Sequence, residues 1–325
     1  MGGYKVYESV RGEMYRLAKK TVTKEERRKP GFVNDLVTEF MSMGGSNRTL
    51  DAATLADETD WLDGGCRTYF PESEALVQVL WRSKMDVTLE DLDLPSFPRA
   101  FAVAWPDMEI DGVKLAGCLA WWGKAEDRLE TMRKFGTRYM GGPARPIGTF
   151  EDPEELALHV SYRGSERVMG TAPTLRCSVP SKCLRACLKS DDEFRANLGM
   201  YKCPELVGAM DLSEAETRQQ YVVVKSLIHL MVYLKARPDS VREGWPDGRN
   251  QRDLMPTWMK SPRPSVVTCP GLERDSPSAH WRTWHFRTYP TKRDGTKRDG
   301  LVFVSGTMVN AEMKEPRTVE LVEMA

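Results

Sequence analysis

The chain has 325 residues, of which 41% are hydrophobic and 29% charged, enough apolar material for a sizeable core and too much for global disorder. Lys plus Arg number 47 and Asp plus Glu also number 47, so no bulk charge draws it to nucleic acid or to an anionic membrane, and such a contact must come from a local patch. Seven cysteines behind an opening MGGYKVYESV that lacks a signal peptide's apolar run imply free thiols in a reducing compartment, so the expectation is a soluble, cytoplasmic protein.

Up to about residue 90 the chain reads mainly as helix. YESVRGEMYRLAKK and FVNDLVTEFMSM space apolar residues three and four apart, and GGSN closes the second. PESEALVQVLWRSKM starts with Pro, carries acids in its first turn and bases in its last, as the helix dipole prefers. LPSFP at 94–98 breaks the pattern. RAFAVAW and VKLAGCLAWW then read as strands, with Asp111-Gly112 as a turn signal between them. Gly- and Pro-rich loops such as YMGGPARPIG alternate with a strand-like LALHVSY, and PSKCLRACLKS reads as a helix.

The clearest helix spans 213–236. Ser213 and Glu216 form a capping box, and Pro238 stops the far end. Val223, Leu227, Leu230 and Leu234 line one face, while Lys225, Ser226, His229 and Tyr233 fall largely on another, which makes this a central core helix. Its run YVVVKSLIHLMVYL is too short and too interrupted to span a bilayer. From 240 to 280 Pro, Gly and charge take over, and the stretch reads as a long irregular connection. The expected organisation is a mainly helical region 1–95, an α+β core 96–239, and an irregular connection with a basic-aromatic hairpin unit at 240–325. The fold class is α+β, with a mainly antiparallel sheet packed on the 213–236 helix.

Most catalytic signatures are missing. Neither GxGxxG nor GxxxxGK[ST] occurs, and neither HExxH nor GxSxG. PDMEIDGVK approaches a nuclease pattern, but two residues separate Asp111 from Lys114 where one is wanted. Cys177, Cys183, Cys187 and Cys203 lack the paired spacing of a zinc knuckle, so buried free thiols are expected and no metal or cofactor. His159 and His229 lie in apolar runs and are read as packed.

Most of the functional information sits in HWRTWHFRTYPTKRDGTKRDG, residues 280–300. HWRTWHFRTY suits a strand, LVFVS at 301–305 its partner, and the doubled Asp-Gly steps the loop between them. Side chains alternate along a strand, so His280, Arg282, Trp284 and Phe286 share one face and Trp281, Thr283, His285 and Arg287 the other. His280 and His285 then point apart, and an acid/base pair or a two-histidine metal site would need a bulge. A binding surface fits better: each face has a His, an Arg and an aromatic for stacking and hydrogen bonding to RNA or peptide, and Lys292, Arg293, Lys297 and Arg298 add local charge. The bland reading is a solvated hairpin whose aromatics pack on the core.

On these residues the chain resembles the type V-A anti-CRISPR family that blocks biogenesis of the Cpf-type effector nuclease, with its relatives on mobile elements. The shared signature is His-x-Arg-x-x-His, a hairpin and a closing Val-Asn, here His280, Arg282, His285, Val309 and Asn310. Trp81-Arg82 in VLWRSK, the strand pair in PRAFAVAWPDMEI, and SLIHLMVYLKARPDSVREGWP are similar to the family in the same order from about residue 75. Trp284 and Thr283 depart from a Gly and an Arg of the family, Ser305 from a Pro, and Phe303 from a Trp. Residues 1–70 carry no resemblance.

The resemblance implies a non-enzymatic counter-defence protein in a bacterial host. It would recognise the nascent N-terminal peptide of a CRISPR effector and trigger degradation of that effector's mRNA, with the ribosome, the mRNA or a host nuclease as further partners. Peptide or RNA contacts then fall on His280, Trp281, Arg282, Trp284, His285, Arg287, Lys292, Arg293, Lys297, Arg298 and Asn310, with Trp81 and Arg82 as a candidate groove. Two alternatives stand beside it: a ribonuclease using His280 and His285, and a mobile-element protein of the same fold aimed at another host polypeptide.

Overall fold

In the computed structural model the described residues are 3–42, 48–86, 94–142, 156–163, 174–181, 192–193, 213–256, 259, 261–269, 285–288 and 301–304. A short strand β1 (Tyr4–Lys5) leads into helices α1 (Val10–Ala18), α2 (Phe32–Ser42) and α3 (Arg48–Asp63). Strand β2 (Thr68–Pro71), helix α4 (Glu74–Arg82) and strand β3 (Lys84–Asp86) follow, then β4 (Ala100–Val103) and β5 (Trp105–Pro106). Next come β6 (Glu109–Ile110), β7 (Val113–Lys114), β8 (Cys118–Gly123), helix α5 (Ala125–Tyr139), β9 (Ala157–Arg163) and β10 (Thr174–Pro180). The chain closes with α6 (Glu214–Ala236), β11 (Val241–Glu243), α7 (Gln251–Leu254), β12 (Pro264–Val267), β13 (His285–Thr288) and β14 (Leu301–Val304). The fold is α+β.

Local chemistry accounts for the element ends. Ser9 and Ser73 cap α1 and α4, accepting from the amides of Gly12 (2.9 Å) and Leu76 (3.2 Å). The expected capping box of α6 is present: the Glu216 amide donates to the Ser213 hydroxyl at 3.2 Å, and the Ser213 amide to the Glu216 carboxylate at 2.8 Å. Asp111 and Gly112 both have positive φ, 50° and 77°, the two-residue turn that joins β6 to β7. The nuclease-like spacing noted there belongs to this hairpin.

The central sheet has seven strands in the order β10-β9-β8-β4-β2-β12-β11. Its pairs are antiparallel except β4 with β2 and β2 with β12, which are parallel. It takes strands from all three of the segments expected above. One face carries Phe101, Val103, Ala120, Trp122, Leu158 and Val160 and packs on α4 and α6. The other carries Ala102, Leu119 and Trp121, against Tyr7 and Trp61, with the α1, α2, α3 and α5 layer behind. At burial of roughly 25 cal/mol per Å² of apolar surface, these two cores are the main stabilising contribution.

Several sequence expectations change. The 240–280 stretch is not simply irregular: β11, α7 and β12 lie in it, because a parallel pair with β2 supplies hydrogen bonds that no local pattern announces. The helix expected to run through Ser83 and Met85 ends at Arg82, where Ser83 turns to extended backbone and β3 begins. Helices α3 and α5 and strands β2 and β10 went unrecognised. Helix α6 has no solvent face over most of its length, since Ser226, His229 and Tyr233 are as buried as the leucines opposite them. Residues 182–190, expected to be helical, lie outside the described residues.

Candidate functional site

The expected hairpin partnership is present: β13 pairs antiparallel with β14, His285 opposite Val304 and Thr288 opposite Leu301. The other edge of β13 pairs parallel with β3, placing His285 opposite Lys84 and Arg287 opposite Asp86. This order, β14-β13-β3, brings together parts of the chain about two hundred residues apart. Strand β3 begins two residues after Arg82 and three after Trp81. The two regions singled out from sequence therefore meet in one small sheet beside α6. His280, Trp281, Arg282, Trp284, Lys292, Arg293, Lys297, Arg298 and Asn310 lie outside the described residues; His285 and Arg287 are described through their backbone.

Helix α6 fixes the end of α4. The Trp81 ring meets Tyr221 edge-on with centroids 5.9 Å apart, and the Lys225 ammonium stands 4.1 Å from the Trp81 centroid and 5.3 Å from that of Tyr221. Lys225 also donates to the Tyr221 hydroxyl at 3.2 Å. This explains the lysine that interrupts the apolar run of the helix: its charge rests beside two aromatic rings. The Arg218 guanidinium lies 5.8 Å from the Tyr221 centroid and 3.9 Å from the Asp111 carboxylate. One turn beyond Lys225, His229 is buried with Nδ1 against the Leu80 carbonyl, an acceptor, so Nδ1 carries the proton. Burial, opposed in part by that hydrogen bond, lowers the His229 pKa to about 4, so the imidazole is neutral at pH 7. Trp81 is half-buried and Arg82 exposed. The result is a rigid aromatic-cationic shelf beside strand edges, suited to stacking and backbone pairing.

A second polar cluster lies on the opposite face of the central sheet. Asp57 of α3 binds Arg128 of α5 with one oxygen and Arg176 of β10 with the other. Glu58 accepts from the Tyr7 hydroxyl at 2.9 Å and from the Val10 and Arg11 amides at 2.6 and 3.3 Å, with Arg11 Nε at 3.6 Å. Asp60 accepts from Trp121 Nε1 at 2.8 Å and from the Thr131 hydroxyl at 2.6 Å. Burial pushes Glu58 up in pKa and pulls Arg128 down to about 10, in each case against the opposing effect of its partners. His159 is buried, 2.6 Å from the Ser178 hydroxyl and edge-on to Trp121. Burial, with Arg176 and Arg128 nearby, holds it well below the usual histidine range. This cluster joins layers; it is the half of the charged chemistry that sequence reasoning missed. The one available signal was the polar alternation of His159, Ser161, Arg176 and Ser178 along two strands.

Among the described residues no group of three or more His, Cys, Asp or Glu could hold a metal ion. Cys177 is buried, and the other three cysteines of the rejected zinc set lie outside the described residues. No described helix is long and apolar enough to cross a membrane.

Comparison with known proteins yields one family: the model described as AcrVA2-like, anti-CRISPR type V subtype A2 family, matches residues 70–311, about three quarters of the chain. The match begins at β2 and leaves α1, α2 and α3 outside it. No curated protein and no solved structure matches.

Proposed function

The chain belongs to the AcrVA2-like, anti-CRISPR type V subtype A2 family, and from that premise we propose that it acts in counter-defence by recognising the nascent N-terminal peptide of a CRISPR effector nuclease, after which the effector's mRNA is degraded. The peptide would lie as an extended strand at the β14-β13-β3 sheet, using backbone hydrogen bonds for affinity and the Trp81–Arg82 shelf for side-chain selection. His280, Trp281, Arg282, Trp284, His285, Arg287 and Asn310 supply the remaining contacts. The basic loop with Lys292, Arg293, Lys297 and Arg298 meets the ribosome or the mRNA. The observation that supports this reading is the parallel pairing of β3 with β13, which brings two distant segments of the matched region together in one sheet beside α6.

The test is effector mRNA abundance in bacteria expressing the protein together with a type V-A effector that carries either its native N-terminal residues or a substituted set. Loss of the native message alone is the expected result. Unchanged messages in both strains would refute this target and leave another host polypeptide as the partner. Loss of both messages would refute peptide selection and favour a general ribonuclease built on His280 and His285.

A further inference from the structure

Residues 16–29 form a basic segment of the N-terminal layer, outside the matched residues 70–311. Arg16, Lys19, Lys20, Lys24, Arg27, Arg28 and Lys29 face only Glu25 and Glu26 within the same segment, a local excess of five positive charges in a chain whose total is zero. All of the seven except Arg27, which is half-buried, are exposed. The segment is folded: α1 ends in tight backbone bonds from Lys20 to Leu17 and from Val22 to Ala18, and a single 3-10 turn spans Glu26–Arg28. The Glu26 carboxylate accepts from the Thr23 amide and hydroxyl at 3.2 and 2.8 Å, and those bonds hold its pKa below the ordinary value.

Helix electrostatics account for part of this charge. Lys19 and Lys20 sit at the negative end of α1. Arg27 donates to the Thr23 carbonyl at 3.3 Å, Lys29 acts on Glu26 through space, and Arg16 pairs with Glu13 at 3.2 Å; among the described residues no ion pair within 4 Å involves Lys24, Arg28 or Lys29. Aromatic rings lie beside the cations: Tyr15 meets Phe32 edge-on at 6.0 Å, the Lys19 ammonium stands 5.3 Å from the Tyr15 centroid, and Leu17 is 43% exposed.

We propose that this segment is an RNA-binding surface that takes the phosphodiester backbone of single-stranded RNA, with the Tyr15 and Phe32 rings offered to unstacked bases. The spread of exposed cations beside aromatic rings favours RNA over an acidic protein. Exposed cationic side chains spread along a turn engage a flexible polyanion as separate point charges, whereas an extended peptide is held by a strand edge or a groove with pockets. Rings interleaved with cations are the means by which sequence-tolerant single-strand binders hold bases. The assignment goes beyond the nascent-peptide reading and does not depend on it, since naked RNA suffices to test it.

The experiment measures binding of the full chain to a labelled oligouridine of about 16 nucleotides, as a function of salt, with polyglutamate as a parallel probe. The comparison variant carries Lys20→Gln, Lys24→Gln, Arg28→Gln and Lys29→Gln, all on exposed side chains. Each single-strand phosphate neutralised contributes about 0.7 to the log–log salt slope, so the variant should lose about 3 from that slope and on the order of a hundredfold in affinity at about 0.1 M salt. Equal RNA affinity in the two proteins would overturn the proposal and move RNA binding elsewhere on the chain. Absence of RNA binding in the parent would overturn it outright, and binding of polyglutamate in place of RNA would reassign the segment to an acidic protein partner.

Discussion

Asp57→Asn should unfold this protein far more easily than its conservative chemistry suggests. The Asp57 side chain is 1% exposed, and its two oxygens serve Arg128 and Arg176, themselves 6% and 7% exposed. Asn offers one acceptor in place of two and turns an NH2 donor towards the second guanidinium. Two cations then remain buried without the carboxylate that binds them, only Arg128 keeping the more distant Asp60, and burial already pulls Arg128 down to about 10 with Asp57 in place. Breaking a buried pair costs about 3–5 kcal/mol, and with two partners affected the upper part of that range is expected. With a urea slope of about 3 kcal/mol per M, the midpoint should fall by roughly 1.5 M. Urea titration followed by tryptophan fluorescence measures this, with the slope checked for change. A companion variant, Asp57→Leu with Arg128→Met and Arg176→Met, should recover most of the loss, because apolar replacement of a buried ion triad is about neutral. A midpoint for Asp57→Asn within about 0.3 M of the parent would refute the claim that this carboxylate neutralises both arginines.

Three other expectations follow from the same structure. His229 titrates near 4 in the folded chain against an ordinary 6.5, so its contribution is complete above pH 6.5 and is lost as pH falls from 6.5 towards 4; urea midpoints at pH 7 and 5 should show a smaller acid loss in His229→Asn, which keeps a donor for Leu80, while His159 still acts in the parent's direction. Gly117→Ala would place a Cβ 2.3 Å from the Val6 carbonyl carbon and 2.5 Å from the Lys5 oxygen. Its stability should fall by about 1–3 kcal/mol in the same titration, because backbone rather than a side-chain tip has to move. Arg82→Glu, at an exposed position, should leave stability within about 0.5 kcal/mol of the parent while effector mRNA survives in the silencing assay; silencing at the parental level would remove Arg82 from the peptide site.

How much could be read from residues alone differs between the two halves of the candidate site. The β13–β14 hairpin was legible, since alternation and the Asp-Gly steps are local signals. Trp81 and Arg82 entered as candidates through family resemblance. Their adjacency to the hairpin was not legible. Parallel pairing of β3 with β13 leaves no local mark, and β3 is three residues long directly after a helix whose pattern runs through it. Lys225 looked like a polar interruption until Trp81 and Tyr221 were placed on either side of it.

By itself the sequence determined the elements whose ends rest on neighbouring residues: α6 between its Ser213–Glu216 box and Pro238, the Asp111-Gly112 hairpin, and the strand at His285–Thr288. It also determined the α+β class and, through residues 70–311, the family. Tertiary structure alone decided the sheet order, because the parallel pairs of β2 with β4 and β12 join distant segments whose composition matches many partners equally well. It decided, too, what the polar faces of β9 and β10 are for. Alternation with Arg176 and Ser178 on one side is also the pattern of a sheet that faces water, but α3 covers that side and Asp57 meets Arg128 and Arg176 there. A charge pattern states that a polar group needs a partner; only the packed chain states whether water or a carboxylate provides it.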